Sequence, residues 1–400
     1  MKRSLRFLAA TMLALVALAG CGLGGDDDLP APEPPTTAAA SLRADLDSLF
    51  REHVYLLGSV TENVITGQGV ARDGASNALE ENTLALADQF ERTYAARGEK
   101  GFLGAWRPYT ELMTQYAGRL ARKQPLARAD EIFGRIENGM GAFGAALTPL
   151  INARVLAGTM RKLTTTMRAA IDAQVAKDFV KAGSSLRAAG GSASDIGTTF
   201  ARAFADDLPA LYPGDPRSPS ASFRVALAGP MVEHVYLVGM TTENILTSQS
   251  RPRDGAKAAL DAATAALAKQ IGSAYAVDKE QAFLSVWKRQ GDLLISYANS
   301  AKDAAKREQI AEDLGQYATD AAGFLSGLDP GLKLSSLERI IGAHGQAMAQ
   351  VIDAQAAGDF TLAGLRLRLA AQQIGSLGSA IAVATVERFP VRFRPTPAGF

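Results

Sequence analysis

Glu52-His53-Val54-Tyr55-Leu56, with Thr61-Glu62-Asn63 and Arg72-Asp73-Gly74-Ala75 downstream, returns later in the chain as Glu233-His234-Val235-Tyr236-Leu237, Thr242-Glu243-Asn244 and Arg253-Asp254-Gly255-Ala256. The shift is 181 each time, and between Glu52 and Ala95 it gives 24 identities in 44 positions without a gap. It also relates Trp106 to Trp287, Tyr116 to Tyr297, and Ile171-Asp172-Ala173-Gln174 to Ile352-Asp353-Ala354-Gln355. A period this long means two tandem domains and not a solenoid of short repeats. The copies cover 41–211 and 221–391, with a proline-rich linker over 212–220 and a tail over 392–400.

The same stretch sets the fold class. Leu46, Leu49, Phe50, His53, Val54, Leu57, Val60 and Val64 recur close to the helical period. Alanine is abundant and period-2 alternation is lacking, so the chain reads as all-α. Each copy is expected to be an antiparallel bundle of five or six helices. The spans in the first copy are Leu42–Thr66, Ala75–Ala96, Phe102–Arg122, shorter pieces over Ala127–Leu147, then Asn152–Ala176 and Asp178–Phe204. Gln68–Gly74 reads as a loop, and Thr148-Pro149 and Asp329-Pro330 as N-caps followed by proline in the first turn.

The N-terminus carries a different message. Lys2, Arg3 and Arg6 precede an apolar run from Phe7 to Ala19, and Leu18-Ala19-Gly20-Cys21 follows. A basic start, a short apolar core and small residues describe a secretory signal. Leu-Ala-Gly-Cys resembles the lipobox of bacterial lipoproteins, which implies cleavage after residue 20 and lipid on Cys21. Residues 21–40, rich in Gly, Asp, Pro, Ala and Thr, read as a flexible tether. The expected location is the cell envelope, lipid-anchored and facing the periplasm or the cell exterior. Without the leader the chain holds 39 Lys+Arg against 41 Asp+Glu, a net charge of −2. That balance argues against a nucleic-acid partner. The expected partners are a membrane, through Cys21, and another envelope protein.

Chemistry-bearing motifs are sparse. Gly139-Met140-Gly141-Ala142-Phe143-Gly144 matches G-x-G-x-x-G, yet no strand precedes it and the second copy lacks the three glycines. Three histidines, His53, His234 and His344, and one cysteine make a nucleophile–base system hard to assemble. No enzymatic activity is expected. His53 and His234 are expected to be half-buried helix residues bonded to a neighbour. The alternative is a metal site of copper or haem type, centred on His234 and His344. Glu62 lies on the opposite side of the helix from His53, so ligands would have to come from other helices. Tyr55, Ser59, Glu62 and Thr66, repeated as Tyr236, Met240, Glu243 and Thr247, form a stripe that reads first as a solvated face and otherwise as a buried polar network or a binding face. Trp106 and Trp287 read as core anchors, and Asp172 and Asp353 as capping residues.

Several segments resemble an uncharacterised family of exported bacterial helical-repeat proteins. They are the Glu-His-Val opening, Phe102-Leu103-Gly104-Ala105-Trp106-Arg107, the stretch from His344 through Val351-Ile352-Asp353-Ala354-Gln355-Ala356-Ala357-Gly358-Asp359, and Arg388-Phe389-Pro390. The resemblance covers nearly the whole mature chain and implies an all-helical exported protein. Other family histidines are replaced here: Tyr109 and Gln290 follow the tryptophans, Leu163 stands opposite His344, and Ser192 and Gln373 stand at the late position.

Overall fold

The structure is a computed structural model that describes residues 31–124 and 126–395. They form eleven α-helices and a short C-terminal 3-10 turn, with no strand among the described residues. The chain is all-α. The helices are α1 (Ala38–Thr66), α2 (Gly69–Ala121), α3 (Ala129–Leu147), α4 (Ala153–Val175), α5 (Phe179–Asp207), α6 (Pro219–Leu246), α7 (Ser250–Ala274), α8 (Val277–Asn299), α9 (Ala304–Leu328), α10 (Leu334–Ala356) and α11 (Phe360–Arg388).

Local chemistry explains the ends. Thr37 accepts from the Ala40 amide at 3.2 Å and starts α1. Gly67, at φ 78°, ends it in the left-handed conformation that favours glycine. Asp178 and Asp359 cap α5 and α11 through the Lys181 and Leu362 amides. The α2 helix contains a sharp reversal at Tyr94 and Ala95. Phe90 and Phe102 stack across it with ring centroids 4.4 Å apart, whereas twelve residues of straight helix would separate them by about 18 Å. The equivalent positions, Tyr275 and Ala276, are where α7 ends and α8 begins.

Several boundaries differ from the sequence reading. Gln68–Gly74 is no loop, because α2 already starts at Gly69. Asp73-Gly74 has the composition of a turn, but Gly74 serves packing: a Cβ there would stand 2.5 Å from the Phe360 backbone. Thr148 and Asp329 end α3 and α9 and start nothing. The cap-plus-proline pattern falls instead at Ser218-Pro219, which opens α6. The 127–147 segment is one helix, α3. Residues 33–37 belong to the fold and not to the tether: Glu33 accepts from the Asp215 amide at 2.7 Å, and the Pro35 carbonyl from Arg224 at 2.9 Å. In the tail, Phe393 packs on Phe223 at 5.2 Å.

The two halves share one continuous core. Helix α1 packs along α6, α5 against α7, and α11 against α2. The pairings are reciprocal under the 181-residue shift. Gly255 lets the Phe179 backbone approach to 2.4 Å of its Cβ position, as Gly74 does for Phe360. Contacts that exchange in this way are those of a two-fold interface, here within one chain. Residues 231–242 of α6 are buried without a break, and a helix buried all round must be surrounded by partners. Helix α11 is long and apolar enough to span a bilayer, but Ala370, Ile374, Leu377 and Ile381 lie in this core.

Candidate functional site

The centre of the interface is polar. Glu52 on α1 is paired with Arg368 of α11, both nearly enclosed. Its counterpart Glu233 on α6 is paired with Arg187 of α5 and accepts from the Tyr55 hydroxyl at 2.7 Å. Tyr55 and Tyr236 stack in parallel with centroids 6.1 Å apart. Two turns beyond the tyrosines, Asn244 donates to Glu62 at 2.9 Å, and Asn63 donates to Glu243 at 2.8 Å. Burial pushes the Glu62 and Glu243 carboxyls up to about 7. Burial also pushes the Glu52 carboxyl up, while Arg368 pulls it the other way. The repeated stripe is therefore no solvated face: Tyr55, Glu62 and Tyr236 are buried and Glu243 is half-buried. A helical wheel ranks a helix's own sides and cannot register a second copy pressed on the polar one.

The histidines are fully enclosed, not half-buried. His53 sits in a closed set of bonds. Its Nδ1 meets Asn82 at 3.0 Å and its Nε2 meets Thr110 at 3.1 Å, with Trp106 Nε1 3.2 Å from the ring. His234 has one weak contact, Thr264 Oγ1 at 3.4 Å from Nδ1. Burial lowers His53 to about 4 and His234 to about 3, the latter with help from His344. No cluster of three or more His, Cys, Asp or Glu suited to a metal occurs among the described residues. Trp106 and Trp287 lie in the core. Asp172 and Asp353 accept from Tyr116 at 2.8 Å and Tyr297 at 3.1 Å and cap nothing. Gly141 and Gly144 admit α4 against α3, with Cβ positions 2.3 Å from Ala153 O and 2.6 Å from a Leu156 methyl.

The two-fold pattern breaks beside the central seam. On one face Asp47 holds Arg51 at 2.9 Å and accepts from Ser194, and Arg51 lies over Gly229, 2.7 Å from its Cβ position. On the opposite face the equivalents of Asp47, Arg51 and Ser194 are Ala228, Val232 and Gly375. These small or apolar residues leave a groove of about 410 Å³ between α1, α2, α6 and α11. That volume is in the range of small-molecule sites. The groove carries Asp45, Asp88, Gln89, Arg92, Arg224 and Gln372, with Glu52 at its floor. Asp45 opens into it. The surrounding walls push its carboxyl above the usual range, while Arg224 and Arg92 pull it down. Arg224 is anchored by Ser379 at 3.0 Å, Ser41 at 2.9 Å and the Pro35 carbonyl, and burial lowers its pKa.

The sequence reading missed Arg187, Arg368 and the groove. The arginines carried a signal, since both are polar and 181 residues apart. The groove carried one too, in the failure of Asp47 and Arg51 to repeat. The leader over 1–20 and the lipid site at Cys21 lie outside the described residues. Comparison with protein-family models, curated proteins and solved structures finds no match for this chain.

Proposed function

We propose that this chain is a lipid-anchored, non-catalytic binding module of the cell envelope, facing the periplasm or the cell exterior, and that its ligand seats in the groove between the copies. One observation carries the reading: of two faces related by the internal duplication, one is plugged by Asp47, Arg51 and Ser194 and the other is open. Carboxylates (Asp45, Asp88) and guanidinium groups (Arg92, Arg224) share the open face. That mixture suits a small zwitterion, such as a short peptide, better than a polyanion or an apolar chain. A partner of one charge would meet repulsion as well as attraction.

Titration calorimetry of the mature chain with a panel of dipeptides tests this. A saturable heat is expected. It disappears in Ala228→Asp/Val232→Arg/Gly375→Ser, which installs on the open face the plug found on the other. No heat across the panel, or binding unchanged by the plug, contradicts the proposal. The anchor is tested separately: palmitate label on the chain is lost in Cys21→Ser, and undiminished label refutes lipidation there.

A further inference from the structure

The reversal at Tyr94 and Ala95 folds α2 into two arms. A cleft of about 610 Å³ lies between these arms, with Val60 of α1 in its lining. Val60, Leu79 and Thr83 are buried in its floor, and two exposed carboxylates, Glu80 and Glu111, face each other from the two arms.

The second copy shows what fits between such carboxylates. There Asp261 and Asp292 take the places of Glu80 and Glu111, and Lys257 takes that of Ser76. The Lys257 ammonium bonds Asp261 at 2.7 Å and lies 3.9 Å from Asp292. Lys288 holds Asp292 at 2.7 Å, so two cations balance two carboxylates. In the first copy Arg107, the counterpart of Lys288, crosses to Glu80 instead. Ser76 brings no charge, and Glu111 is left without the lysines that its counterpart has. The first copy thus keeps both carboxylates and an open space, and lacks the ammonium.

The hydroxyl groups along the cleft select a donor. Thr83 donates to the Leu79 carbonyl at 2.9 Å, and Thr114 to the Thr110 carbonyl at 3.1 Å. Thr110 lies 3.1 Å from His53 Nε2. Asn82 directs its amide N–H to the Leu49 carbonyl at 3.0 Å, so its oxygen faces His53 Nδ1 and accepts the proton there. The Nε2 lone pair then receives the Thr110 proton. With their protons engaged inward, these three oxygens can only accept from a guest. A primary ammonium offers three N–H donors on a compact charge. Ion pairs this exposed contribute little alone. The hydroxyl oxygens and a short alkyl arm lying on Val60 and Leu79 supply the rest.

We propose that the cleft of the first copy binds a small primary alkylammonium ion, with its charge between Glu80 and Glu111, where the second copy places its own Lys257. This site is separate from the groove and stands or falls without it. The test titrates the mature chain with n-pentylammonium chloride, followed by calorimetry and by Trp106 emission in Trp287→Phe. Trp106 Nε1 lies 3.2 Å from the His53 ring that Thr110 touches, so it reports on the cleft. Saturable binding is expected, unchanged by the substitutions that plug the groove. Ser76→Lys, which installs the ammonium of the second copy, lowers affinity at least tenfold, and Glu111→Gln lowers it several-fold. Both positions lie outside the buried core, so the variants keep the fold. Pentyltrimethylammonium, with the same charge and no N–H donor, binds at least tenfold more weakly. No saturable signal by either readout, affinity indifferent to Ser76→Lys, or equal binding of the two ions overturns the proposal.

Discussion

Glu62 and Glu243 each take a proton's worth of character from their position. Each accepts from the other copy's asparagine in a buried seam, and burial raises both to about 7 from 4.5. A carboxyl raised on folding holds its proton more tightly in the folded chain. Its contribution is complete below about 4.5 and is lost as pH rises through about 7. The histidines act in the opposite sense. His53, His234 and His344 are lowered from 6.5, so their cost appears as pH falls below that value, toward about 4 for His53 and His344 and about 3 for His234. Together these slopes place maximum stability on the acid side of neutrality. The thermal midpoint is expected to fall between about pH 5.5 and about pH 8, by an amount reflecting on the order of a few kcal/mol. Glu62→Gln/Glu243→Gln flattens that fall. A double variant as pH-sensitive as the parent over this range would remove the carboxylates as its cause.

At the scale of helices, the sequence period carried most of the information. Helices α4 and α5 begin and end within a few residues of where the apolar spacing puts them. The errors share one cause. Local rules describe a helix against its own neighbours, while Gly74, Gly255 and the Tyr/Glu stripe answer to the other copy. Asp-Gly is a turn signal on its own, yet both glycines sit inside helices where a backbone from the opposite half comes close. Arg187 and Arg368 look like solvated positions until a buried glutamate on the other half is supplied. Gly255→Val is accordingly expected to cost about 1–3 kcal/mol or more in urea unfolding through overpacking against Phe179. Gly158→Ala, on the exposed face of α4 with nothing within 4 Å, is expected to be neutral or mildly stabilising. Equal effects at the two sites would deny that Gly255 is there for close approach.

For the whole molecule, the sequence divided the chain into two tandem units, and the observed contacts fold those units onto one another. Duplication produces a self-complementary interface, and later divergence can then act on one side at a time. Both candidate sites lie where the copies differ. The groove opens where Asp47, Arg51 and Ser194 have no counterparts, and the cleft of the first copy lacks an ammonium where Ser76 stands opposite Lys257. Repeat comparison made the shared frame legible. The differences became meaningful only when helix contacts showed which of them faced a common space.

The chain supplies its own probes for the claim beneath all of this, that the two halves are one cooperative body joined by buried ion pairs. It has one tryptophan in each half, Trp106 and Trp287, both buried. Urea unfolding followed by fluorescence in Trp287→Phe and in Trp106→Phe reports each half separately. Adding Arg368→Ala leaves Glu52 buried without its partner, a loss of about 3–5 kcal/mol. Coincident midpoints for the two reporters, shifting together when Arg368 is removed, are predicted. Separate midpoints, or a shift seen by Trp287 alone, would contradict the account.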